Sequence, residues 1–333
     1  MALLLDPEYP EQLDRVSKIF RSSNPVALPT ETVYGLAAPL LDERAVAKVF
    51  ALKGRPKFHP LIVHVLNWEM AKPLIAVQDD LALRLVKYFW PGPLSILFKK
   101  SELVSDLVTG GSDSVVLRCP EHSVFRNVLS RWDAPLVAPS ANRFTGISPT
   151  DCLSVLKELG AFGLEAVVDG GESARGLEST IVRVDSEKKI SVLRPGAVSI
   201  EQLKEKLPEG VKVFKEASKE VPGSHARHYS PAKRMLLLSN EKDFKALSKS
   251  DLSEMALIRV LAKDAKWLSG DSFRAEFVLS ERNSDLEAAS ALFRILRKLD
   301  ESRVYKSIAV CETSDQGLGA AINDRLRRAA NQS

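Results

Sequence analysis

Cysteine is scarce in this 333-residue chain, which has three cysteines and five histidines. Cys119, Cys152 and Cys311 lie far apart and form no C-x-x-C pair. A disulfide framework or a structural zinc site is therefore not expected, and a reducing compartment fits this cysteine usage best. Cys119 follows an arginine that could activate a thiol, but the sequence favours a buried, inert side chain.

Long apolar segments are also missing. No run approaches the ~18 uninterrupted apolar residues of a membrane-spanning helix, and the first residues show neither a basic n-region nor an apolar h-region. We therefore expect a cytoplasmic protein without membrane contact. The net charge of +4 and the pI near 8.8 are compatible with an anionic ligand but too small to indicate nucleic-acid binding by themselves.

The composition is that of an ordinary globular protein, with 45% hydrophobic and 27% charged residues. At about 150 residues per domain, the length predicts two domains. Helices are predicted by apolar periodicity over residues 11–22, 42–53, 81–89 and 199–207, and strands over 25–28, 61–65, 94–98, 114–118, 134–137, 166–168, 181–185 and 190–193. Polar loops follow several of these strands, at the sheet edge where α/β proteins bind ligands.

An apolar strand meets a polar loop at residues 28–36, the sequence LPTETVYGL. Leu28 precedes a proline and so ends the strand in extended backbone, while Gly35 can adopt a positive φ or allow a close approach. Asp42 is predicted to be the N-cap of the helix that follows. One interpretation of this stretch is a ligand-binding loop. The other is an ordinary turn whose threonines bond their own backbone.

A cationic loop stiffened by prolines follows that helix, which we expect to end at Gly54 as its C-cap. The cations of the loop are Lys53, Arg55 and Lys57. These cations either lie in a solvated loop at a helix C-terminus or bind a polyanion such as a triphosphate. The pattern favours polyanion binding. His59 lies in this loop without a clear role. His64 interrupts the next strand and is more typical of a core histidine than of a ligand contact.

Residues 222–231 are rich in proline, glycine, serine and histidine, which predicts a linker. Two histidines in this segment lack partners at metal-ligand spacing, so no metal site is expected. Strands at 235–238, 255–260 and 307–310, with helices at 285–299 and 318–330, predict a small three-layer α/β domain with a mostly parallel sheet. The last helix is basic, and its charges favour a solvated face over an RNA surface.

Five separate blocks, in order, carry a resemblance to a known family. They are residues 25–36, Lys53-Gly54-Arg55-Pro56 with Pro60-Leu61, Pro139-Ser140-Ala141-Asn142, Ser179-Thr180 and Arg194-Pro195-Gly196. With these blocks the chain resembles the YrdC-like family of threonylcarbamoyl-AMP synthases. Pro222-Gly223, followed by His228-Tyr229-Ser230-Pro231 and a second α/β domain, is similar to the long, two-domain form of these enzymes.

The resemblance implies an α/β fold, with a YrdC-like twisted mixed sheet and flanking helices in a catalytic domain of residues 1–214. Residues 215–233 would be a linker that acts as an active-site lid, and residues 234–333 a smaller three-layer (Rossmann-like) α/β domain. The implied enzyme is a nucleotidyltransferase that condenses L-threonine, bicarbonate and ATP to L-threonylcarbamoyladenylate and pyrophosphate, for N6-threonylcarbamoyladenosine modification of tRNA. The implied partners are a downstream tRNA-modifying transferase complex and, through a weak contact, tRNA or another RNA.

Position by position, the resemblance assigns L-threonine binding to Thr32, His64, Arg118, Ala138 and Ser179. It assigns ATP binding to Lys53, Arg55, His59, Ser114, Ser140, Asn142, Ser148, Arg194 and Tyr229. Arg118 would pair with the threonine carboxylate, and the catalytic residues Lys53 and Arg55 would stabilise phosphate charge as pyrophosphate leaves. Mg²⁺ would be held mainly through the ATP phosphates. No nucleophilic side chain is required.

Two positions depart from the family pattern. His59 stands where many relatives have Asn, which makes that contact pH-dependent, and Ser224-His225 replaces the commoner Met-Lys pair of the linker. Two other functions are weighed against the synthase. One is carbamoyl-adenylate chemistry of the hydrogenase-maturation type, although the acylphosphatase-like and zinc-finger segments of such proteins are absent. The other is a double-stranded RNA or tRNA binding module without turnover.

Overall fold

The computed structural model describes residues 2–216, 221–223, 228–265, 267–268 and 273–331. The chain divides into two compact units. The first unit comprises Met1–Phe144, Ser148–Ala174 and Glu178–Ser224, and the second comprises Thr145–Ile147, Arg175–Leu177 and His225–Ser333. The domain boundaries at 214 and 234 and the lid role of residues 215–233 stay predictions. The Ser224-His225 pair lies outside the described residues.

A large mixed sheet forms the core of the first unit. Its strands are β1 (Leu3–Leu5), β2 (Val26–Leu28), β3 (Gly35–Pro39), β4 (Ile62–His64), β5 (Leu94–Lys99), β6 (Ser114–Arg118), β7 (Leu136–Val137), β8 (Ala166–Val168), β9 (Thr180–Ser186), β10 (Lys189–Arg194) and β11 (Lys212–Lys215). They lie in the order β1-β8-β2-β3-β7-β4-β6-β5-β9-β10-β11. Parallel pairs such as β4 with β6 occur beside antiparallel pairs such as β5 with β6. The predicted mixed α/β sheet is confirmed.

Helices pack on both faces of this sheet. They are α1 (Pro10–Arg21), α2 (Glu43–Lys53), α3 (Trp68–Ala71), α4 (Asp80–Phe89), α5 (Asp106–Thr109), α6 (Ser123–Trp132), α7 (Cys152–Leu159) and α8 (Ile200–Lys206). Along β2, Ala27 belongs to the apolar cluster that includes α2 and α4, whereas Val26 and Leu28 belong to the cluster that includes α1 and α6. Because both faces are covered there, strands such as β2 and β8 are continuously apolar and buried rather than alternating.

The structure adds a strand that we expected to be loop. β3 follows the polar stretch and pairs antiparallel with β2, so that residues 29–34 form the turn of a β-hairpin. Its ends are Gly35 and Pro39, residue types that punctuate strands more often than they build them, which is why the pattern indicated a loop. Gly35 is closely packed, since a Cβ there would lie 3.1 Å from the Cβ of Ala138, which is tighter than most side-chain contacts.

Both predicted caps of α2 are confirmed. The Asp42 side chain accepts hydrogen bonds from the backbone N–H groups of Arg44 and Ala45. Gly54 ends the helix in the left-handed conformation, with φ of 60°. Gly54 is also crowded, because a Cβ at this position would lie 2.6 Å from Nη2 of Arg143. The end of α2 therefore favours glycine at position 54, because the Arg143 guanidinium packs close to where a side chain would begin.

None of the helices in the described ranges is long and apolar enough to span a bilayer.

A parallel sheet forms the core of the second unit. Its strands are β12 (Arg234–Leu238), β13 (Met255–Leu261), β14 (Ala275–Ser280) and β15 (Ser307–Cys311), in the order β12-β15-β13-β14. Its helices are α9 (Glu241–Lys245), α10 (Lys249–Leu252), α11 (Asp285–Glu301) and α12 (Gly319–Ala330). The strand pairs are parallel, as expected. We did not predict β14, whose first residues are only partly buried and show no clear apolar period.

The expectation that the arginines of helix α12 are solvated is confirmed for Arg327, which is exposed, and is wrong for Arg325. Arg325 is fully buried, and its Nη1 lies 2.8 Å from a carboxylate oxygen of Asp324. Asp324 also accepts from Nε of Arg328 at 3.1 Å. Arg327 forms an ion pair with Glu312. Because these arginines are engaged within the unit, the helix offers weaker support for an RNA-binding surface than its sequence suggested.

Gly54→Ala is expected to lower the free energy of unfolding by about 1–2 kcal/mol, because it combines a strained φ with a clash against Arg143. Gly163→Ala is the matched control, since Gly163 also has a positive φ but no atom within 4 Å of an added Cβ. Urea denaturation of both variants measures the difference. Equal losses would mean that the Arg143 contact contributes nothing to the effect.

Candidate functional site

Arg118, at the end of β6, is the centre of a buried polar cluster in the first unit. Its guanidinium donates from Nη1 to Oγ1 of Thr32 at 2.9 Å and from Nη2 to Oε1 of Glu31 at 2.6 Å. Nε lies 3.4 Å from the carbonyl oxygen of Gly92. The side chains of Arg118 and Glu31 are each 4% exposed. The guanidinium is therefore fixed in direction, and its remaining donors are available to an anion.

The two threonines of the polar turn have different partners, and the interpretation as a ligand-binding loop stays a prediction. The Thr30 hydroxyl donates to the Val33 carbonyl at 2.6 Å and accepts from the Thr32 and Val33 amides, so Thr30 builds the turn. The Thr32 hydroxyl contacts both Thr30 and Arg118. Thr32 therefore joins the turn to the guanidinium, as a substrate-side residue would.

His64, at the end of β4, lies beside Arg118 in the parallel β4–β6 register. The side chain is 2% exposed, and Nδ1 is 3.3 Å from the Ile62 carbonyl oxygen. Burial, reinforced by the positive charge of Arg118, holds the pKa of His64 well below its usual 6.5. The imidazole is therefore neutral at physiological pH and can both donate and accept a hydrogen bond.

Ser179 belongs to a second polar group on the neighbouring strands. Its Oγ lies 2.8 Å from Oγ of Ser95, and Nη2 of Arg194 donates to its carbonyl oxygen at 2.8 Å and to its Oγ at 3.0 Å. Ser95 is paired directly with Arg118 across β5 and β6. Ala138 donates its amide to the Ile62 carbonyl at 3.1 Å. The residues assigned to threonine thus come together at one end of adjacent strands.

The cationic loop and the Ser140-Ala141-Asn142 turn form one cluster. Nζ of Lys53 donates to the carbonyl oxygens of Ser140 at 2.5 Å and Asn142 at 2.6 Å. Nη2 of Arg55 donates to the Pro60 carbonyl oxygen at 2.9 Å. Lys53 and Arg55 are 1% and 8% exposed. The interpretation as a solvated loop is therefore wrong for these two cations.

His59 and the Arg55 guanidinium both pack against Phe144. The His59 ring centroid is 5.0 Å from that of Phe144, and the Arg55 guanidinium carbon is 5.8 Å from it. Lys57, in contrast, is exposed. The loop thus directs two of its three cations inward, toward the segment that carries Ser140 and Asn142.

Three further residues assigned to ATP, which are Ser114, Ser148 and Tyr229, have surroundings of their own. The Ser148 hydroxyl donates to Oε1 of Glu178 at 2.6 Å. Ser114 begins β6, about 13 Å along the strand from Arg118. Tyr229 belongs to the second unit, where its ring stacks at 5.5 Å on Phe293. These placements leave the assignments of Ser114, Ser148 and Tyr229 as predictions.

Sequence reasoning did not assign a role to Glu31, Ser95 or Glu178, which are buried polar residues that contact Arg118, Ser179 and Ser148, respectively. Glu31 lies inside a quoted motif, but its partner Arg118 is 87 residues away, and nothing in the sequence pairs them. A signal for Ser95 was present, since it is the one polar residue within the apolar run of β5 that the structure buries completely.

The described residues contain no group of three or more His, Cys, Asp or Glu side chains that could hold a metal ion. The carboxylates near the assigned residues are instead engaged singly. Glu31 binds Arg118, and Glu178 accepts from Ser148.

Glu31→Ala is expected to lower the free energy of unfolding by about 3–5 kcal/mol, because it leaves the buried Arg118 charge without its partner. Asp14→Ala is the matched control, since it removes an acid from the more exposed Asp14–Arg131 pair, which should cost less than about 1 kcal/mol. Thermal and urea denaturation measure both. Losses of similar size would contradict the importance of the buried pair.

The pH dependence of stability should reveal His64. A histidine whose folded pKa is depressed binds its proton more readily when unfolded, so its stabilising effect is complete above pH 6.5 and is lost as pH falls below it. Wild type should therefore lose about 1.4 kcal/mol per pH unit below 6.5 relative to His64→Gln. Urea denaturation of both proteins at pH 7.5 and 5.5 tests this. A constant stability difference between them would show that the pKa of His64 is not depressed.

Comparisons with known proteins identify related sequences over nearly the whole chain. The Sua5/YciO/YrdC family model, described as telomere recombination, matches residues 18–196, and a model described as the C-terminal domain of threonylcarbamoyl-AMP synthase matches residues 198–331. The threonylcarbamoyl-AMP synthase of Pyrococcus abyssi is 33% identical over 93% of this chain and 91% of its own length. That of Schizosaccharomyces pombe is 34% identical over 96% of this chain and 88% of its own length.

A solved structure supports the assignment. The crystal structure of Pyrococcus abyssi Sua5 complexed with L-threonine matches with a TM-score of 0.85 and 30% identity, covering 99% of this chain and 97% of that one. Sequence and fold agree over both units' residues. The chain therefore belongs to the threonylcarbamoyl-AMP synthase family, in its two-domain Sua5 form.

Proposed function

We propose that this chain condenses L-threonine, bicarbonate and ATP to L-threonylcarbamoyladenylate, pyrophosphate and water. The threonine amine attacks the carbon of bicarbonate, and loss of water gives a carbamate. A carbamate oxygen then attacks the α-phosphorus of ATP, and pyrophosphate leaves. Neither step forms a covalent bond to the protein, so the chain contributes mainly by holding the reactants together and by stabilising charge.

The buried guanidinium of Arg118 is the observation that carries this proposal. A guanidinium offers five N–H donors in a fork that suits a carboxylate. Contacts with Glu31, Thr32 and Gly92 each occupy one N–H group of Arg118, on Nη2, Nη1 and Nε respectively. These three contacts hold the guanidinium in one orientation. We assign the threonine carboxylate to Arg118. We assign the other substrate contacts to the residues beside it, which are Thr32, His64, Ala138 and Ser179.

The nucleotide would lie on the side of the cationic cluster. We assign to it the residues Arg55, His59, Ser114, Ser140, Asn142, Ser148, Arg194 and Tyr229, and Lys53 lies beside Ser140 and Asn142 in the same cluster. Arg55 is buried and close to the segment that carries Ser140 and Asn142. We assign to Arg55 the stabilisation of the charge that develops as pyrophosphate leaves.

We propose that Mg²⁺ enters with ATP and is held mainly by its phosphate oxygens. The described residues contain no group of three or more potential metal ligands, and Mg²⁺ commonly binds through substrate phosphates and few protein ligands. Bound there, the ion would neutralise charge on the leaving pyrophosphate. We further propose that the protein works in the cytoplasm and that a tRNA-modifying transferase consumes its adenylate.

The reaction is tested by measuring pyrophosphate release from ATP. Release should require both L-threonine and bicarbonate, and omission of either should reduce it to background. ATP consumption that is independent of threonine would contradict the proposal. Tight, strongly salt-dependent RNA binding without any nucleotide turnover would favour the alternative function of an RNA-binding module.

Arg118→Lys tests the threonine site within the same assay. Lysine keeps the positive charge next to Glu31 but loses the fork, so the KM for L-threonine should rise about tenfold or more while the KM for ATP changes less than about twofold. Arg126→Lys is the matched control, because Arg126 is a partly buried arginine of the same unit that contacts Leu66 and Cys119 instead. An unchanged KM for threonine in Arg118→Lys would refute the carboxylate assignment.

A further inference from the structure

We propose that Lys53 acts as a positioning residue, which holds the segment 140–144 in place for the nucleotide, rather than as a ligand of the phosphates. This inference rests on the proposed function, in which Ser140 and Asn142 bind ATP. It gives the two cations of the Lys53-Gly54-Arg55 motif different roles. Lys53 holds segment 140–144 in position, and Arg55 contacts the nucleotide.

The contacts of Lys53 are the first argument. Its Nζ lies between the carbonyl oxygens of Ser140 and Asn142, at 2.5 and 2.6 Å. An ammonium group has three donors, so at most one remains for a phosphate oxygen. A lysine that clamps a triphosphate would direct its donors at the ligand. Here two of the three are committed to the backbone of the same short segment.

Other bonds join the same two pieces of chain. Nη1 of Arg143 donates to the Leu52 carbonyl oxygen at 2.8 Å, and the Phe144 amide donates to the Lys53 carbonyl oxygen at 2.7 Å. Carbonyls in the last turn of a helix lack hydrogen-bond partners within the helix. These bonds provide partners for two such carbonyls at the end of α2. Each piece of chain therefore donates hydrogen bonds to the other. Lys53 donates to segment 140–144, and Arg143 and Phe144 donate to carbonyls at the end of α2.

The opposite side of the segment is held by the β2–β3 hairpin. The Ala141 amide donates to the Tyr34 carbonyl oxygen at 2.8 Å, and Gly35 forms a β-bridge with Ser140. The Lys53 side chain thus adds two hydrogen bonds to those that Arg143 and Phe144 make between α2 and the segment. Removing it would keep the other bonds but weaken the support of the segment, which would open more often.

Burial and charge agree with this role. Lys53 is 1% exposed, and burial, together with the charges of Arg55 and Arg143, lowers its pKa well below the usual 10.5, while Glu158 acts in the opposite direction. A buried amine needs hydrogen-bond acceptors in either protonation state. The two carbonyls provide them without a carboxylate, so the burial of Lys53 depends on where the segment lies.

Amide hydrogen exchange of the ligand-free protein tests the connection directly. In Lys53→Met, the Ala141 and Phe144 amides should exchange about tenfold faster or more, whereas the Val65 amide, bonded to Arg118 elsewhere in the sheet, should not change. Lys48→Met is the matched control, since Lys48 lies on the exposed side of the same helix. Unchanged exchange of Ala141 and Phe144 would overturn the proposal. If Lys53→Met does not fold, Lys53→Gln, whose shorter side chain cannot reach both carbonyls, carries the same test.

Kinetics separate positioning from direct charge stabilisation. Lys53→Met should raise the KM for ATP about tenfold but keep kcat within about threefold at saturating ATP, because bound nucleotide restores the segment. Arg55→Met should lower kcat even at saturation. A loss of kcat in Lys53→Met as large as in Arg55→Met would overturn the proposal. If wild type releases no pyrophosphate, the proposed function fails, but the exchange measurement still decides whether Lys53 holds the segment.

Discussion

The buried ion pair of Arg118 and Glu31 is the interaction on which the threonine half of the site depends. Transfer of two charges from water to the interior costs several kcal/mol per ion, which is offset only when both are closely paired and hydrogen-bonded. Thr32 and the backbone of Gly92 and Glu121 supply the additional bonds. The guanidinium is consequently oriented before a substrate arrives, so binding does not have to order it.

Lys53, in the cluster that we assign to the nucleotide, is a second buried cation, and its charge is stabilised in another way. Lys53 is satisfied by the carbonyl dipoles of Ser140 and Asn142 instead of a carboxylate. The β2–β3 hairpin contacts both buried clusters. Thr32 in its turn contacts Arg118, and the Tyr34 carbonyl accepts a hydrogen bond from the Ala141 amide. The nine-residue stretch 28–36 thereby contacts both Arg118 and the segment 140–144, which explains its mixture of hydroxyl, carboxylate and glycine.

Much of the fold could be predicted from sequence because the signals are local. Asp42 and Gly54 mark the ends of α2 through side-chain capping and the left-handed conformation, which depend only on neighbouring residues. The apolar runs became strands because the sheet is covered on both faces. β3 was missed for the converse reason, since its glycine, alanines and proline form a strand only through pairing with β2 and β7. Arg325 was misjudged as solvated because its burial depends on packing that helical periodicity does not specify.

The sequence by itself determined the family, the order of most helices and strands, and which hydroxyls and cations are candidates for the site, because each of these depends on residue types at short spacing. Only the tertiary structure showed that Glu31 pairs with Arg118, that Ser95 contacts Ser179, and that Lys53 bonds to backbone carbonyls. The first two join residues more than eighty positions apart through the strand order of the sheet. The third depends on carbonyl oxygens, which every residue possesses, so no choice of side chain in the sequence could have indicated them.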